Sequence, residues 1–280
     1  MPYLGNEVAP LVQALEGKEL KLDSDGDSSI TADTDDRVDV KVGGSDKVHV
    51  TSTGLGVGTS SPDGALHVKG MSDHGRIFLE SGGTSGSDNN MFMQFHNNGG
   101  TEIAQIEVAE GASNEGQIVF KTGGTTTAMT IDKDGHITKP LQSAFLVNPA
   151  TAGSSPVQTN ISSNDAITFG NEVFDQNSDF GSNTFTAPVT GKYQFNVGLF
   201  LEQVDTDYSE LRIKLDTSNR TYDHFDIGSP FSSDRNLQYH LSALADMDAS
   251  DTAVLRVTFG GGGNQMDVNA LTYFSGYLVC

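Results

Sequence analysis

Short apolar stretches, separated by glycine-rich turns, run along most of the chain. Val38, Val40 and Val42 alternate with charged residues, which is the period-two pattern of a strand with one buried face. Pairs of glycines interrupt such stretches at positions 43–44, 82–83, 99–100 and 123–124. Strands this short bury little surface within one chain. The pattern therefore predicts an all-β protein whose first half is narrow and needs partner chains to close it.

One segment near the N-terminus has helical rather than β periodicity. Asn6 is a good N-cap, Gly17 is a good stop signal, and Pro10 lies in the first turn, where its missing N–H does little harm. The apolar residues between them fall on one helix face: Val8, Leu11, Val12 and Leu15. A helix of about ten residues needs something to pack on. We interpret residues 1–22 as an attachment segment that contains a short N-terminal helix.

The pattern changes near Lys139-Pro140, after which the strands become longer and richer in aromatic residues. In the stretch Lys192–Phe200, Tyr193 and Phe195 share one face with the other apolar residues, while polar residues occupy the opposite face. A series of such strands indicates a jelly-roll β-sandwich. The predicted domains are the attachment segment at 1–22, an interwoven β shaft at 23–140 and a jelly-roll head at 141–280.

A weak internal repeat links two turns of the predicted shaft. Val48–Gly54 and Met129–Gly135 share the order apolar, polar, apolar, three polar residues and glycine. Each copy predicts a strand that enters a tight turn, with the glycine at positive φ.

The charge balance excludes several function classes. The 280 residues include 16 basic and 37 acidic side chains, for a formal net charge of −21. Nucleic-acid binding needs clustered Lys and Arg, so no nucleic-acid partner is expected. No apolar run is long enough to span a membrane, and the first residues lack signal-peptide features, so no membrane insertion is expected. The single cysteine, Cys280, excludes an internal disulfide, and we expect a soluble protein made in a reducing compartment.

One acidic string invites a calcium hypothesis. Asp23-Ser24-Asp25-Gly26-Asp27 alternates carboxylates, which suit a hard cation, but an EF-hand loop would need Gly and Glu where Ser28 and Thr34 stand. We interpret it as a solvated turn, and Asp132-Lys133-Asp134-Gly135 likewise.

The histidines show no metal-ligand spacing in the sequence. They are His49, His67, His74, His96, His136, His224 and His240. No metal or other cofactor is predicted, although histidines repeated around a three-fold axis would still offer an ion site, and that alternative stays open.

Enzyme motifs are missing from the sequence. It contains no G-x-S-x-G elbow, P-loop or dinucleotide fingerprint. Gly260-Gly261-Gly262-Gly263-Asn264 lies between predicted strands, with no helix after it to hold a phosphate. The terminal Cys280 has no histidine nearby in sequence to activate it. No catalytic, cofactor-binding or metal-binding residue is assigned, and we expect a protein that is not an enzyme.

Aromatic residues in the C-terminal half stand at recurring spacings. Phe169, Asp175 and Phe180 fit the pattern Phe-x5-Asn/Asp-x4-aromatic, and the run Phe185–Phe195 fits Phe-x5-Gly-x-Tyr-x-Phe. With the closing Tyr273–Leu278, this half resembles the globular head domain of complement-type proteins, a jelly roll related to tumour necrosis factor. The gap between Phe180 and Phe185 is two residues shorter than in that family, and Val197 stands where an aromatic residue is usual. The resemblance implies a jelly-roll fold and a trimer.

The N-terminal half carries two further patterns. Asp36–Asp46 alternates apolar and charged residues, and Gly54–Pro62 followed by Ala65–Val68 fits G-h-G-h-G-T-x-x-P-x-x-x-L-x-V, where h is apolar. These stretches resemble bacteriophage fibre and other virion appendage proteins. Together the two resemblances imply a homotrimer with an attachment segment, an interwoven β shaft and a globular head.

The function expected from these resemblances is that of a non-enzymatic phage virion protein, a trimeric fibre that recognises the host surface. Its partners would be two further copies, other virion proteins through the N-terminus, and a host surface glycan or protein. The host contact would be made by loops at the far end of the head, for example Asp216–Tyr222 or Gly260–Asn264. The location would be the virion, assembled in the host cytoplasm. A capsid decoration, cement or head-fibre protein is the first alternative, and a glycan-degrading tailspike is the second.

Overall fold

The computed structural model describes residues 18–70, 77–80, 90–110, 116–150, 156–228, 232–261 and 266–280. Within these ranges all regular structure is β, in four sheets, which confirms the all-β prediction. The predicted helix between Asn6 and Gly17 lies outside the described residues. The described part of the chain has no helix long and apolar enough to cross a membrane.

The contacts divide the chain into two compact units, Met1–Ser81 and Gly82–Cys280. The first unit contains one six-stranded sheet in sequence order, antiparallel except for a parallel β5–β6 pair. Its strands are β1 (Leu20–Lys21), β2 (Ser29–Thr31), β3 (Arg37–Val42), β4 (Ser45–Thr51), β5 (Leu55–Val57) and β6 (Leu66–Val68).

The second unit begins with a five-stranded antiparallel meander in the order β11-β10-β9-β8-β7. Its strands are β7 (Met91–His96), β8 (Glu102–Glu110), β9 (Gly116–Thr122), β10 (Thr126–Ile131) and β11 (Ile137–Thr138). Two of the four connections between them contain a glycine pair noted in the sequence, Gly99-Gly100 between β7 and β8 and Gly123-Gly124 between β9 and β10.

The remaining strands form a two-sheet sandwich. They are β12 (Ala144–Asn148), β13 (Asp165–Ala166), β14 (Asn171–Asp175), β15 (Phe180–Gly181), β16 (Thr184–Thr186), β17 (Gly191–Val204), β18 (Glu210–Thr217), β19 (Thr221–Ile227), β20 (Arg235–Met247), β21 (Thr252–Gly260), β22 (Asp267–Val268) and β23 (Tyr273–Leu278). One sheet has the order β14-β12-β23-β17-β20, with β22 also pairing β17. The other has the order β15-β16-β21-β18-β19, with β13 also pairing β21. Apart from the pairs β15–β16, β18–β19 and β22–β23, strands that follow one another along the chain lie in opposite sheets, as in a jelly roll.

The sandwich contains the main hydrophobic core of the described residues. Phe145 lies at its centre, with ring centroids 5.0 Å from both Phe185 and Phe274 and 5.1 Å from Phe180. The alternation seen in the sequence directs Tyr193 and its β17 neighbours inward, and the Tyr193 hydroxyl donates to the Val189 carbonyl at 2.7 Å. This sandwich buries its own apolar side chains.

Two local predictions differ from the structure. The sequence pattern predicts a strand at Arg76–Glu80, but residues 77–80 lie outside any strand. In the repeat, Gly135 has the expected positive φ of 85°, whereas Gly54 does not take one. Gly54 is required for space instead, because a Cβ there would lie 2.3 Å from the Gly64 carbonyl oxygen.

Candidate functional site

The six-stranded sheet has one apolar face that is largely uncovered. Its register aligns one apolar residue from every strand in a row across the sheet: Leu20, Ile30, Val40, Val48, Val57 and Val68. A second row contains Val38, Val50, Leu55 and Leu66. Leu66 is 60% exposed and Val50 is 48% exposed, although the apolar–polar alternation predicts that their face of the sheet is buried.

The opposite face of this sheet is polar, yet it is the buried one. Asp39 is only 2% exposed and receives hydrogen bonds on Oδ2 from Arg37 Nε at 2.9 Å and Nη2 at 2.7 Å. Its Oδ1 lies 2.6 Å from Nδ1 of His49, which is 5% exposed. Burial alone raises the pKa of Asp39, but the hydrogen bonds from Arg37 and His49 outweigh it, so that the pKa lies below its usual value.

The connection between β5 and β6 passes close against the glycine side of β5. A Cβ on Gly56 would lie 2.2 Å from the Thr59 carbonyl oxygen, so only glycine fits there. Pro62, in the same connection, is buried. The G-h-G-h-G-T-x-x-P string therefore has a structural reason, because its glycines face the connection and its apolar residues face the uncovered side.

The five-stranded sheet repeats this inverted arrangement. One row crosses all five strands: Met91, Val108, Ile118, Ile131 and Ile137. A second row contains Met93, Ile106, Phe120 and Met129. Met93 is 52% exposed and Ile118 is 40% exposed. Neither row contains a charged side chain.

The opposite face of the five-stranded sheet carries a hydrogen-bonded polar network. Glu107, which is 5% exposed, accepts hydrogen bonds from Asn90 Nδ2 at 2.7 Å and from Gln105 Nε2 at 3.1 Å, and it pairs with Lys121. Gln94 Nε2 donates to Gln105 at 3.1 Å and continues the network. These polar groups find partners within the chain, whereas the apolar rows on the other face do not find cover among the described residues.

Each apolar face offers a sizeable area for contact with another chain. Strand spacing and rise give roughly 480 Å² for the five-stranded sheet and roughly 400 Å² for the shorter six-stranded one. Each is about half of the ~800 Å² that each partner buries in a standard protein interface. We therefore take these faces, defined by the four rows above, as the candidate functional site and call them the apolar shaft faces.

The two outer surfaces of the sandwich differ in charge. On the sheet of β18, β19 and β21, Arg212 pairs with Asp223 at 3.2 Å and lies 4.3 Å above the Phe225 ring, while Arg256 pairs with Asp216 at 3.5 Å. Such a network of ion pairs and exposed charges is typical of a surface that faces water.

The outer surface of the other sheet is nearly free of charge at its centre. It exposes Phe174 (49%), Leu244 (57%) and Tyr277 (48%). Between them, Ser242 Oγ donates to Asn196 Oδ1 at 3.0 Å and receives a hydrogen bond from Gln194 at 2.9 Å. We call this the neutral head face.

The head loops named from the sequence lie at opposite ends of the sandwich. Strand β18 pairs with β21 so that Glu210 faces Gly260 and Thr217 faces Ala253. Seven steps of about 3.4 Å therefore separate the Gly260 end from the turn after Thr217. That turn lies at the end where the chain enters the sandwich. Asn219 Nδ2 donates to the carbonyl of Asp246 at 2.9 Å, Asp246 is the strand partner of Lys192, and at the same end Leu278 N donates to the carbonyl of Ser143, just before β12.

The expectation that both loops share one far end was therefore wrong. Of the two, only the Gly260 side is distal to the entry point. The register of the hairpins determines at which end of the sandwich each loop lies, and the spacing of turns along the sequence does not show it. Residues 262–265 of this loop lie outside the described residues.

Two acidic groups gather potential metal ligands in the described residues. Asp132, Asp134 and His136 form one, and Asp23, Asp25 and Asp27 form the other. In the first, Asp132 Oδ1 accepts the backbone N–H of His136 at 2.9 Å, its Oδ2 lies 3.0 Å from Nδ1 of the same histidine, and Oδ1 also accepts the N–H of Asp134 at 2.9 Å. These hydrogen bonds lower the pKa of Asp132. In the second, Asp23 Oδ1 accepts the Gly26 N–H at 3.0 Å. Both carboxylates thus close turns, and the prediction of no metal stays a prediction.

Two clefts lie in the described part of the chain. One has a volume of about 500 Å³. It is lined by Ile137, Lys139, Gln142, Ser143, Ala144, Gln176, Tyr277 and Leu278, which include no carboxylate, histidine or thiol. A second, of about 380 Å³, contains Asp246, which pairs with Arg220 at 2.8 Å, and the exposed thiol of Cys280.

Comparison with solved structures gives a likeness for about half of the chain. No protein family matches the sequence, and no curated protein matches it. Among solved structures, the globular domain of zebrafish complement 1qA protein aligns with 50% of this chain and 98% of its own length, at 21% identity and a TM-score of 0.38. The jelly-roll description above stands on the strand order and register of this chain.

Proposed function

We propose that this protein is a non-enzymatic structural protein of a bacteriophage virion, a homotrimeric fibre with a host-recognising head. The observation that carries the proposal is the contrast within one chain. Two thin sheets leave their apolar shaft faces uncovered, and a sandwich with a complete core follows them. Such a chain needs further copies of itself to cover its apolar shaft faces. Its head does not need them to fold, because the head has its own core.

Three-fold symmetry suits the inverted sheets. Around a closed axis each sheet turns its apolar face inward, toward the same face of the other copies, and its hydrogen-bonded polar face outward. Burial of the rows then supplies the free energy of assembly, in proportion to the apolar area removed from water. The net charge of −21 per chain opposes sideways association of the assembled shafts.

The two outer surfaces of the head differ in how easily they could pack against other copies. The neutral head face can pack against other copies without desolvating an ion pair, whereas the surface that carries Arg212 and Arg256 cannot. We propose that the neutral head face joins the three heads and that the charged surface faces water.

Host recognition is assigned to the distal end of the head. Loops on a rigid sandwich are the usual carriers of recognition. Of the two loops named from the sequence, the one at Gly260 is distal to the chain entry, and Ser209 N donates to the Gly260 carbonyl there at 2.7 Å. The attachment segment at 1–22 would bind other virion proteins.

Immunogold electron microscopy of purified virions tests the location. Labelling of a tail fibre is the expected result, with preimmune serum as the control. Labelling of the capsid would replace the fibre by a decoration or head-fibre protein, and unlabelled virions would contradict the proposal. Incubation of the purified protein with host surface glycans should release no products, and release would favour the tailspike.

A further inference from the structure

The turn between β7 and β8 contains the only Asn-Gly pair among the 280 residues, Asn98-Gly99. Both residues are exposed, and the turn is closed by Gly100 N, which donates to the Asn97 carbonyl at 3.0 Å. Asn at the first position and Gly at the fourth are residues that a type I turn favours. The pair is therefore held in a defined turn and is open to water.

An Asn-Gly pair in an exposed turn can rearrange without an enzyme. The backbone nitrogen of Gly99 attacks the side-chain Cγ of Asn98, the Cγ–N bond breaks, and the amide nitrogen leaves as ammonia with the proton that Gly99 gives up. Water then opens the cyclic imide at one of its two carbonyl groups, which leaves an aspartate or an isoaspartate at position 98. Glycine favours the attack because it has no Cβ to obstruct the approach.

The Asn98 side chain is free to react, whereas the nitrogen that must attack it is held. Within the described part of the chain, the Asn98 side chain has no hydrogen-bond partner. Asn97 Oδ1, in contrast, accepts the Gly99 N–H at 2.9 Å and the Thr101 N–H at 3.0 Å. Asn97 is itself anchored, because its backbone N–H donates to the Thr101 carbonyl at 2.9 Å. Attack by Gly99 requires the loss of its proton and so breaks its hydrogen bond to Asn97.

We propose that Asn98 is a latent deamidation site and that the amide oxygen of Asn97 protects it by binding the Gly99 N–H. The inference concerns the single chain and goes beyond the proposed function, so it stands or falls independently of the homotrimer. Deamidation would add a negative charge to the turn, and an isoaspartate would also lengthen the backbone of the turn. Because loop length helps to set the register of a hairpin, the protection preserves the pairing of β7 with β8.

Peptide mapping by mass spectrometry tests the proposal on the full chain. The parent, Asn97→Ala and Asn97→Asp are incubated folded in neutral buffer, and the parent is also incubated unfolded in urea. The readout is the mass increase that accompanies exchange of the amide NH2 for OH, localised to position 98 by fragmentation. The folded parent should react more slowly than the unfolded chain. Asn97→Ala should react about fivefold to tenfold faster than the folded parent, the ratio that corresponds to about one hydrogen bond.

The conservative variant separates the acceptor oxygen from general order in the turn. Asn97→Asp keeps an oxygen that accepts both N–H groups, so it should react as slowly as the parent. Equal rates in the folded and unfolded parent would overturn the proposal, and this comparison requires no variant to fold. The proposal is also wrong if Asn97→Ala reacts no faster than the folded parent, or if Asn97→Asp reacts as fast as Asn97→Ala.

Discussion

His49 Nδ1 lies 2.6 Å from Asp39 Oδ1, across the paired strands β3 and β4 and on the face of the sheet that is buried. Arg37 holds the other carboxylate oxygen from the same strand as Asp39. The buried face of this sheet thus contains Asp39, its partners Arg37 and His49, and the β5–β6 connection. In a sheet that folds as a monomer, valines would be expected on the buried face. The valines lie on the uncovered side, and this inversion is the basis for the proposed assembly.

Replacement of Asp39 by Asn should destabilise the first unit by about 3 kcal/mol at neutral pH, because it leaves Arg37 and His49 without their anion. Since the pKa of Asp39 is lowered in the folded chain, its contribution is present above the unfolded pKa and is lost as pH falls through the folded value. Urea unfolding at neutral and acidic pH should therefore show the variant converging on the parent in acid. Asp25→Asn, at an exposed turn position, is the control. Equal stability of D39N and parent at neutral pH would contradict this reading.

Gly56→Ala should disrupt the connection between β5 and β6, because the added Cβ would lie 2.2 Å from the Thr59 carbonyl oxygen. Backbone must move to relieve this contact, so we expect a loss of about 2 kcal/mol or more. Gly64→Ala is a matched control in the same connection, since nothing lies within 4 Å of its Cβ position. Thermal unfolding of the two variants measures the difference. Similar melting temperatures for both would show that the connection does not pack as described.

Phe145→Ala should destabilise the head by about 3–5 kcal/mol, since it removes the central ring of the aromatic cluster. The head forms its own core, so this change should leave hydrogen exchange in the shaft sheets at the parent level. Phe225→Ala, on the charged outer surface, should cost far less. Hydrogen exchange followed by mass spectrometry reads both regions in one experiment, and simultaneous loss of protection in shaft and head would argue against a self-contained head.

Much of the head could be predicted from the sequence, because its strands alternate apolar and polar residues over long stretches and are rich in aromatic residues. The alternating stretch Lys192–Phe200 lies within β17, Gly191–Val204. The predictions omitted β12, β14 and β19. Of these, β14 and β19 lie at sheet edges, and Asn171–Asp175 and Thr221–Ile227 mix polar and apolar residues. Edge strands are specified by pairing with a neighbour, and this information is not local.

The buried acid of the first sheet was missed for a related reason. A bulge after Val40 shifts the register of the β3–β4 hairpin by one residue, which brings Val40 opposite Val48 and Asp39 opposite His49. Without the bulge, valines would face charged residues. A search for the register that matches the two valine rows would have found the pair. The row that contains Asp39 and His49 is buried because of the β5–β6 connection. No periodicity in the sequence predicts the path of that connection.

Ile118→Asp should weaken the assembly, because it places a charge in the middle of an apolar shaft face. Gln117→Asp, on the next residue and the opposite face, is the matched control. Sedimentation velocity should show I118D shifted toward smaller species over a dilution series in which Q117D remains assembled. Identical behaviour of the two variants would mean that this face is not an interface.

The mass of the purified protein in solution tests the central claim most directly. Size-exclusion chromatography with multi-angle light scattering should give three times the 29.7 kDa of one chain, independent of concentration over the micromolar range. A stable species at 29.7 kDa would contradict the account, because the apolar shaft faces would then remain in water.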